Sequence, residues 1–166
     1  ARAAVGNAIN AYANEVFFTS GGSESNCLAI RGFVDWCILE SHFKPTVITT
    51  TIEHKSIIDC VKNLPIGVDT RFVNVDEYGF VNVDELEREL VDASSSRKNI
   101  LVSIAYANNE IGTIQDIKML SHIVHKYGAV LHVDAVQAFG RIPIDVRYLD
   151  VDMMSVSGHK VGCPKG

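Results

Sequence analysis

Ile100-Leu-Val-Ser-Ile-Ala105, then Asp116-Ile-Lys-Met-Leu-Ser-His-Ile-Val-His-Lys-Tyr-Gly128, then Val130-Leu-His-Val133: this stretch decides the fold. The first and last pieces are short, apolar and rich in branched side chains, as strands buried on both faces are. Between them Ile117, Leu120, Val124 and Tyr127 recur at steps of three and four, which is one face of a helix. Asp116 stands where a cap belongs, and Gly128 stands where the helix should stop.

The alternation continues outward in both directions. Downstream, Val151-Asp-Met-Met-Ser155 predicts another strand. Upstream, Val47-Ile-Thr-Thr-Thr51 and Thr70-Arg-Phe-Val-Asn74 predict two more, with a helix over Ser56 to Asn63 between them. Asn82-x-x-Glu85 resembles a capping box opening a helix through Leu86 and Leu90, and Ser94-Ser-Ser-Arg-Lys98 reads as a polar loop after it. Nearer the start, Val16-Phe-Phe-Thr19 predicts a strand, Cys27, Ile30, Val34, Cys37 and Ile38 mark a helix, and residues 1–10 form another. The pattern predicts an α/β fold, a mostly parallel sheet flanked by helices over 1–166. In such sheets ligands bind beyond the carboxyl ends of the strands.

With 166 residues, 47% hydrophobic and 21% charged, the chain can bury a core of its own. No apolar run approaches the ~18 residues that span a bilayer, so no membrane is expected. A net charge of −5 with no basic stripe argues against nucleic acid as a partner. Cys27, Cys37 and Cys60 read as small core hydrophobes, and no pair of cysteines has metal-ribbon or redox spacing. Cysteine usage and the lack of a visible targeting segment point to the cytoplasm.

The polar motifs fall at the predicted strand ends. Thr19-Ser-Gly-Gly-Ser23-Glu-Ser-Asn26 opens a helix, where Gly22 and Ser23 could cradle a phosphate on free N–H groups. Glu53-His54 and Asn108-Asn109-Glu110 follow two strands, Asp134 and Gln137 follow a third, and Ser155-Val-Ser157-Gly-His159-Lys160 closes the last. Asp134 could pair with a protonated pyridine nitrogen, Gln137 could donate to a phenolic oxygen, and His54 could stack on a ring and carry protons. Lys160, bounded by an apolar strand and small polar residues, is a credible place to hold pyridoxal 5'-phosphate (PLP) as a Schiff base. Taken singly, each has an ordinary alternative: a helix cap, a surface glutamine, a backbone-satisfied histidine, a solvated lysine.

Five ordered runs resemble the cysteine desulfurases: Phe18 to Asn26, Thr51-Ile-Glu-His-Lys-Ser56, Asn108-Asn-Glu-Ile-Gly-Thr113, His132-Val-Asp-Ala-Val-Gln137 and Ser155 to Lys160. The likeness is to the NifS/IscS-like branch of the class V aminotransferase superfamily. It implies the type I, aspartate-aminotransferase-like large domain and PLP. It also implies roles: Lys160 as the Schiff-base lysine that moves the Cα proton, and His54 as a catalytic, ring-stacking group. Asp134 would face the ring nitrogen, Gln137 the phenolic oxygen and Asn109 the ring and substrate, with Gly22, Ser23, Ser157 and His159 on the phosphate. The implied reaction takes L-cysteine to L-alanine with sulfur left as an enzyme persulfide, for iron–sulfur clusters and other sulfur-containing cofactors. The implied partners are a second copy in a homodimer and a sulfur-acceptor or iron–sulfur scaffold protein.

Three departures stand out. Ser23 replaces a frequent threonine. Val161-Gly-Cys163-Pro164 stands where relatives usually have an aromatic residue and then glycine. The resemblance implies that the persulfide cysteine and the carboxylate-binding arginine belong to a C-terminal small domain, which residues 1–166 are expected to lack. Cys163, close behind a predicted strand and before Pro164, is expected to lie behind the cofactor and not to accept sulfur. The chain therefore reads as part of a large PLP domain, inactive by itself. Selenocysteine lyase or another class V enzyme fits the same motifs. Two readings of other kinds stay open: a remnant that binds PLP without turnover, and a two-His-one-carboxylate metal protein using His132, Asp134 and His159.

Overall fold

The computed structural model describes residues 1–95 and 99–164. Its centre is a five-stranded parallel sheet in the order β2-β1-β3-β4-β5. The strands are β1 (Thr46–Thr50), β2 (Asp69–Val73), β3 (Ile100–Ala105), β4 (Val130–Asp134) and β5 (Met153–Ser155). The helices are α1 (Arg2–Ile9), α2 (Gly22–Trp36), α3 (Lys55–Lys62), α4 (Val83–Ser95), α5 (Ile117–Lys126) and the short α6 (Val146–Leu149).

Two cores cover the two faces of the sheet. On one, Ile30 and Val34 of α2 and Ile57 and Val61 of α3 pack on Val47 and Leu101. On the other, Leu86 and Leu90 of α4 and Ile117, Leu120 and Val124 of α5 pack on Ile48, Val102, Ile104, Leu131 and Val133. Alternate residues of each strand thus go to opposite cores, which is why β1 and β3 have no polar stripe. Asp116 caps α5 by accepting from the Met119 N–H, and Gly128 leaves it at φ 66°, as the sequence predicts. No described helix is long and apolar enough to cross a membrane.

Four expectations need correction. Val16–Thr19 is extended at Val16 but joins no sheet among the described residues: Arg2 donates to the Val16 carbonyl at 2.9 Å and lies over the Phe18 ring, tying the run to α1. Phe17 and Phe18 are 75% and 58% exposed. The Ser94–Lys98 loop begins later than expected, since α4 runs through Ser95, and 96–98 lie outside the described residues. The capping box is half made. The Asn82 side chain accepts from the Glu85 N–H, but the Glu85 carboxylate turns to the backbone and side chain of Asn74. Finally, of the three supposed core cysteines only Cys37 is buried. Cys27 is exposed and Cys60 half-buried, their sulfurs 3.6 Å apart where α2 meets α3, a pairing that sequence spacing does not reveal.

Candidate active site

A cavity of about 240 Å³ opens beyond the carboxyl ends of β1, β3, β4 and β5, at the start of α2. Gly22, Ser23, His54, Asn109, Asp134, Gln137, His159 and Lys160 all line it. Of the nine predicted site residues only Ser157 is not part of its wall. Ser157 is buried, its Oγ 2.7 Å from Nδ1 of His159 and its Cβ beside Gly22.

The start of α2 forms one corner. The first N–H groups of a helix have no partner within it, and their dipoles favour an anion. Glycine is required by space here: a Cβ on Gly22 would stand 2.8 Å from Cγ2 of Val136 and 3.5 Å from Cβ of Ser157. The helix start is therefore pressed against the loop after β4.

Asp134 ends β4, buried, with both oxygens held: Oδ1 accepts from the Val136 N–H at 2.9 Å and Oδ2 from Asn26 Nδ2 at 2.7 Å. Asn26 Nδ2 also donates to Ser56 Oγ at 3.1 Å, and that hydroxyl is 2.8 Å from His54 Nδ1. His54 caps α3, its Nδ1 accepting from the Ser56 backbone N–H at 3.1 Å. A ring nitrogen that accepts from an amide carries no proton, so the neutral ring holds its proton on Nε2. Asn108 builds the turn after β3 by accepting from the N–H groups of Glu110 and Ile111, which leaves Asn109 on the wall.

Two residues carry more than the sequence reading gave them. Asn26 positions Asp134; the available signal was a polar residue one turn past Gly22, on the stripe it shares with Ile30 and Val34. Glu53 is buried behind the wall, its Oε1 accepting from Thr50 Oγ1 at 2.7 Å and the Ala105 N–H at 3.1 Å. Burial pushes its carboxyl up to about 8, against those two hydrogen bonds and with help from the Asp134 charge. The remaining oxygens, Asn26 Oδ1 and Glu53 Oε2, are buried without a hydrogen-bond partner among the described residues.

Lys160 sits on the one-turn 3-10 helix Gly158–Val161, its N–H bonded to the Ser157 carbonyl at 3.3 Å. Val161 packs on Gly140 of the loop after β4, where a Cβ would stand 2.5 Å from Val161 Cγ1. Cys163 is exposed, not hidden behind the site, and none of the four cysteines lines the cavity.

The sequence matches the aminotransferase class-V family over residues 1–166. The chain belongs to that family. It is 41% identical to a cysteine desulfurase IscS of Ehrlichia chaffeensis over its whole length and 39% of that protein's. Among solved structures it resembles a NifS-like protein, with a TM-score of 0.89 at 38% identity, covering 99% of this chain and 44% of that one. It also resembles SspA in complex with cysteine, with a TM-score of 0.87 at 35% identity, covering 99% and 46%. The class V chain described here thus spans about two fifths of the length of the relatives it matches.

The family likeness calls for PLP, and the residues present fit it. An anion corner with no room for a Cβ, a buried carboxylate with fixed oxygens, and an exposed lysine amine lie around one cavity. The metal reading does not fit. His132 is fully buried with Ser103 Oγ 2.9 Å from Nδ1 and Ser155 Oγ 3.0 Å from Nε2, so neither nitrogen is open to iron. Among the described residues no group of His, Cys, Asp or Glu could hold a metal.

Proposed function

We propose that this chain is the cofactor-binding part of a PLP-dependent cysteine desulfurase, which converts L-cysteine to L-alanine and passes on the sulfur as a persulfide. The observation that carries the proposal is the meeting of Gly22, His54, Asp134, Gln137 and Lys160 at one cavity, in a chain 41% identical to a protein named for that activity. When bound, PLP supplies an electron sink that acidifies the Cα–H of an amino acid.

The chain's own residues supply the rest. The N–H groups at Gly22 and Ser23 bind the phosphate, with His159 beside them. Asp134, fixed by Val136 and Asn26, holds a proton on the ring nitrogen through a charge-assisted bond. His54 presents a proton on Nε2, and the amine of Lys160 takes and returns the Cα proton. Sulfur transfer needs a mobile thiolate at the cavity, and no cysteine of this chain stands there. In this proposal the accepting cysteine and the arginine for the substrate carboxylate come from the small domain that the family resemblance implies. A homodimer and a sulfur-acceptor or iron–sulfur scaffold protein complete the proposal.

The test is absorbance. The full chain with PLP should show a visible band that borohydride removes, and Lys160→Ala should abolish it. A covalent, borohydride-sensitive band that survives Lys160→Ala overturns the assignment.

A further inference from the structure

We propose that Arg141 is a positioning residue: it fixes the side-chain amide of Gln137 so that the NH2 group faces the cavity as a donor to the cofactor's ring oxygen. The proposal rests on the PLP reading above. Arg141 is outside the cavity wall, whereas Gln137 is part of it. Arg141 Nη1 donates to Gln137 Oε1 at 2.5 Å and to the Gln137 carbonyl at 3.0 Å, and Nη2 reaches the Lys160 carbonyl at 3.4 Å.

A guanidinium has donors only, so the amide atom it touches must be the oxygen. That settles which way the amide is turned. The two N–H bonds of Gln137 are left without a partner among the described residues, on a half-buried side chain lining the cavity. An amide without this clamp could turn its oxygen to the cavity instead, and an oxygen there would repel a phenolate.

The local chain explains why Arg141 is in reach. The turns after β4 close through Phe139 N–H to Ala135 at 2.8 Å and Arg141 N–H to Ala138 at 3.0 Å, which places residue 141 about one turn beyond 137. Gly140, at φ 74°, lets that loop close on Val161. Arg141 thus joins two loops, one carrying the predicted oxygen donor and one the predicted Schiff-base lysine. It forms no ion pair among the described residues, so no carboxylate competes for it.

The readout is the pH at which the visible band of the PLP-loaded full chain changes. A donor on the ring oxygen shares its negative charge and weakens its hold on the neighbouring proton. Gln137→Ala should therefore raise that midpoint by about one pH unit. Arg141→Met should raise it in the same direction, Arg141→Lys should stay near the native value, and the double variant should shift no further than Gln137→Ala. A native midpoint in Arg141→Met beside a shifted Gln137→Ala overturns the proposal, and so does an additive double variant. If Gln137→Ala itself leaves the midpoint in place, the amide does not meet the ring oxygen and the proposal falls. A native chain with no borohydride-sensitive band defeats the PLP reading first, a failure distinct from the other three.

Discussion

Two buried polar clusters lie two residues apart along β4, and they are finished differently. Around His132 every polar atom has a partner: Ser103 on β3 and Ser155 on β5 take one ring nitrogen each. Around Asp134 the carboxylate is held by Val136 and Asn26, yet Asn26 Oδ1 and nearby Glu53 Oε2 end without one among the described residues. Unpaired buried polar atoms are costly and uncommon, so where they gather something else is expected to complete them. The first cluster stitches three strands together. The second borders the cavity, where a ligand or water can do what no side chain does.

The largest test of that contrast is His132→Ala. It removes a fully buried ring and strands two serine hydroxyls inside the sheet. The expected loss is about 4 kcal/mol of unfolding free energy, measured by urea denaturation. A loss below about 1 kcal/mol would mean the cluster is not structural.

Next comes pH, where the two clusters act in opposite directions. Burial pushes Glu53 from 4.5 up to about 8. Between those values the unfolded chain has released a proton that the folded chain keeps, so stability falls as pH rises. Glu53→Gln cannot ionise. It should gain on the native chain from pH 4.5 to 8, by up to about 1.4 kcal/mol per pH unit. His132 is pushed by burial from 6.5 down to about 4. There the unfolded chain binds a proton that the folded chain refuses, so its share of stability is lost as pH falls from 6.5 towards 4. Urea titrations of the native chain and Glu53→Gln at pH 5, 6, 7 and 8 decide the matter. A constant difference would show that Glu53 is ionised in the fold.

The parallel sheet was legible because β1, β3 and β4 are branched, apolar and buried on both faces. Most of the cavity wall was legible because His54, Asn109, Asp134, Gln137, His159 and Lys160 come after strands whose carboxyl ends share one edge, whereas Gly22 and Ser23 follow a run that forms no strand among the described residues. What sequence could not supply was the long-range pairing. Asn26 and Asp134 are 108 positions apart, and Cys27 and Cys60 are 33 apart. Val16–Thr19 misled for a related reason: its composition suits a strand, but Arg2 donates to the Val16 carbonyl and no strand among the described residues lies against it. Local pattern measures preference, and pairing decides the outcome.

The smallest expected effect is also the one that bears most directly on the contrast. Asn26→Ala removes two donated hydrogen bonds, one of them charge-assisted to Asp134 at 2.7 Å and one to Ser56 at 3.1 Å. Those losses alone would cost about 2 to 4 kcal/mol. The same change deletes Oδ1, a buried acceptor without a partner, and relieves a penalty of about 1 to 3 kcal/mol. The two effects oppose, and the net loss in urea should be about 1 kcal/mol, well below that of His132→Ala. A loss of 3 kcal/mol or more would mean that Oδ1 is satisfied in solution, by water for instance. The clusters at His132 and Asp134 would then be equally complete, and the unpaired atoms would no longer distinguish the cavity wall from the sheet beneath it.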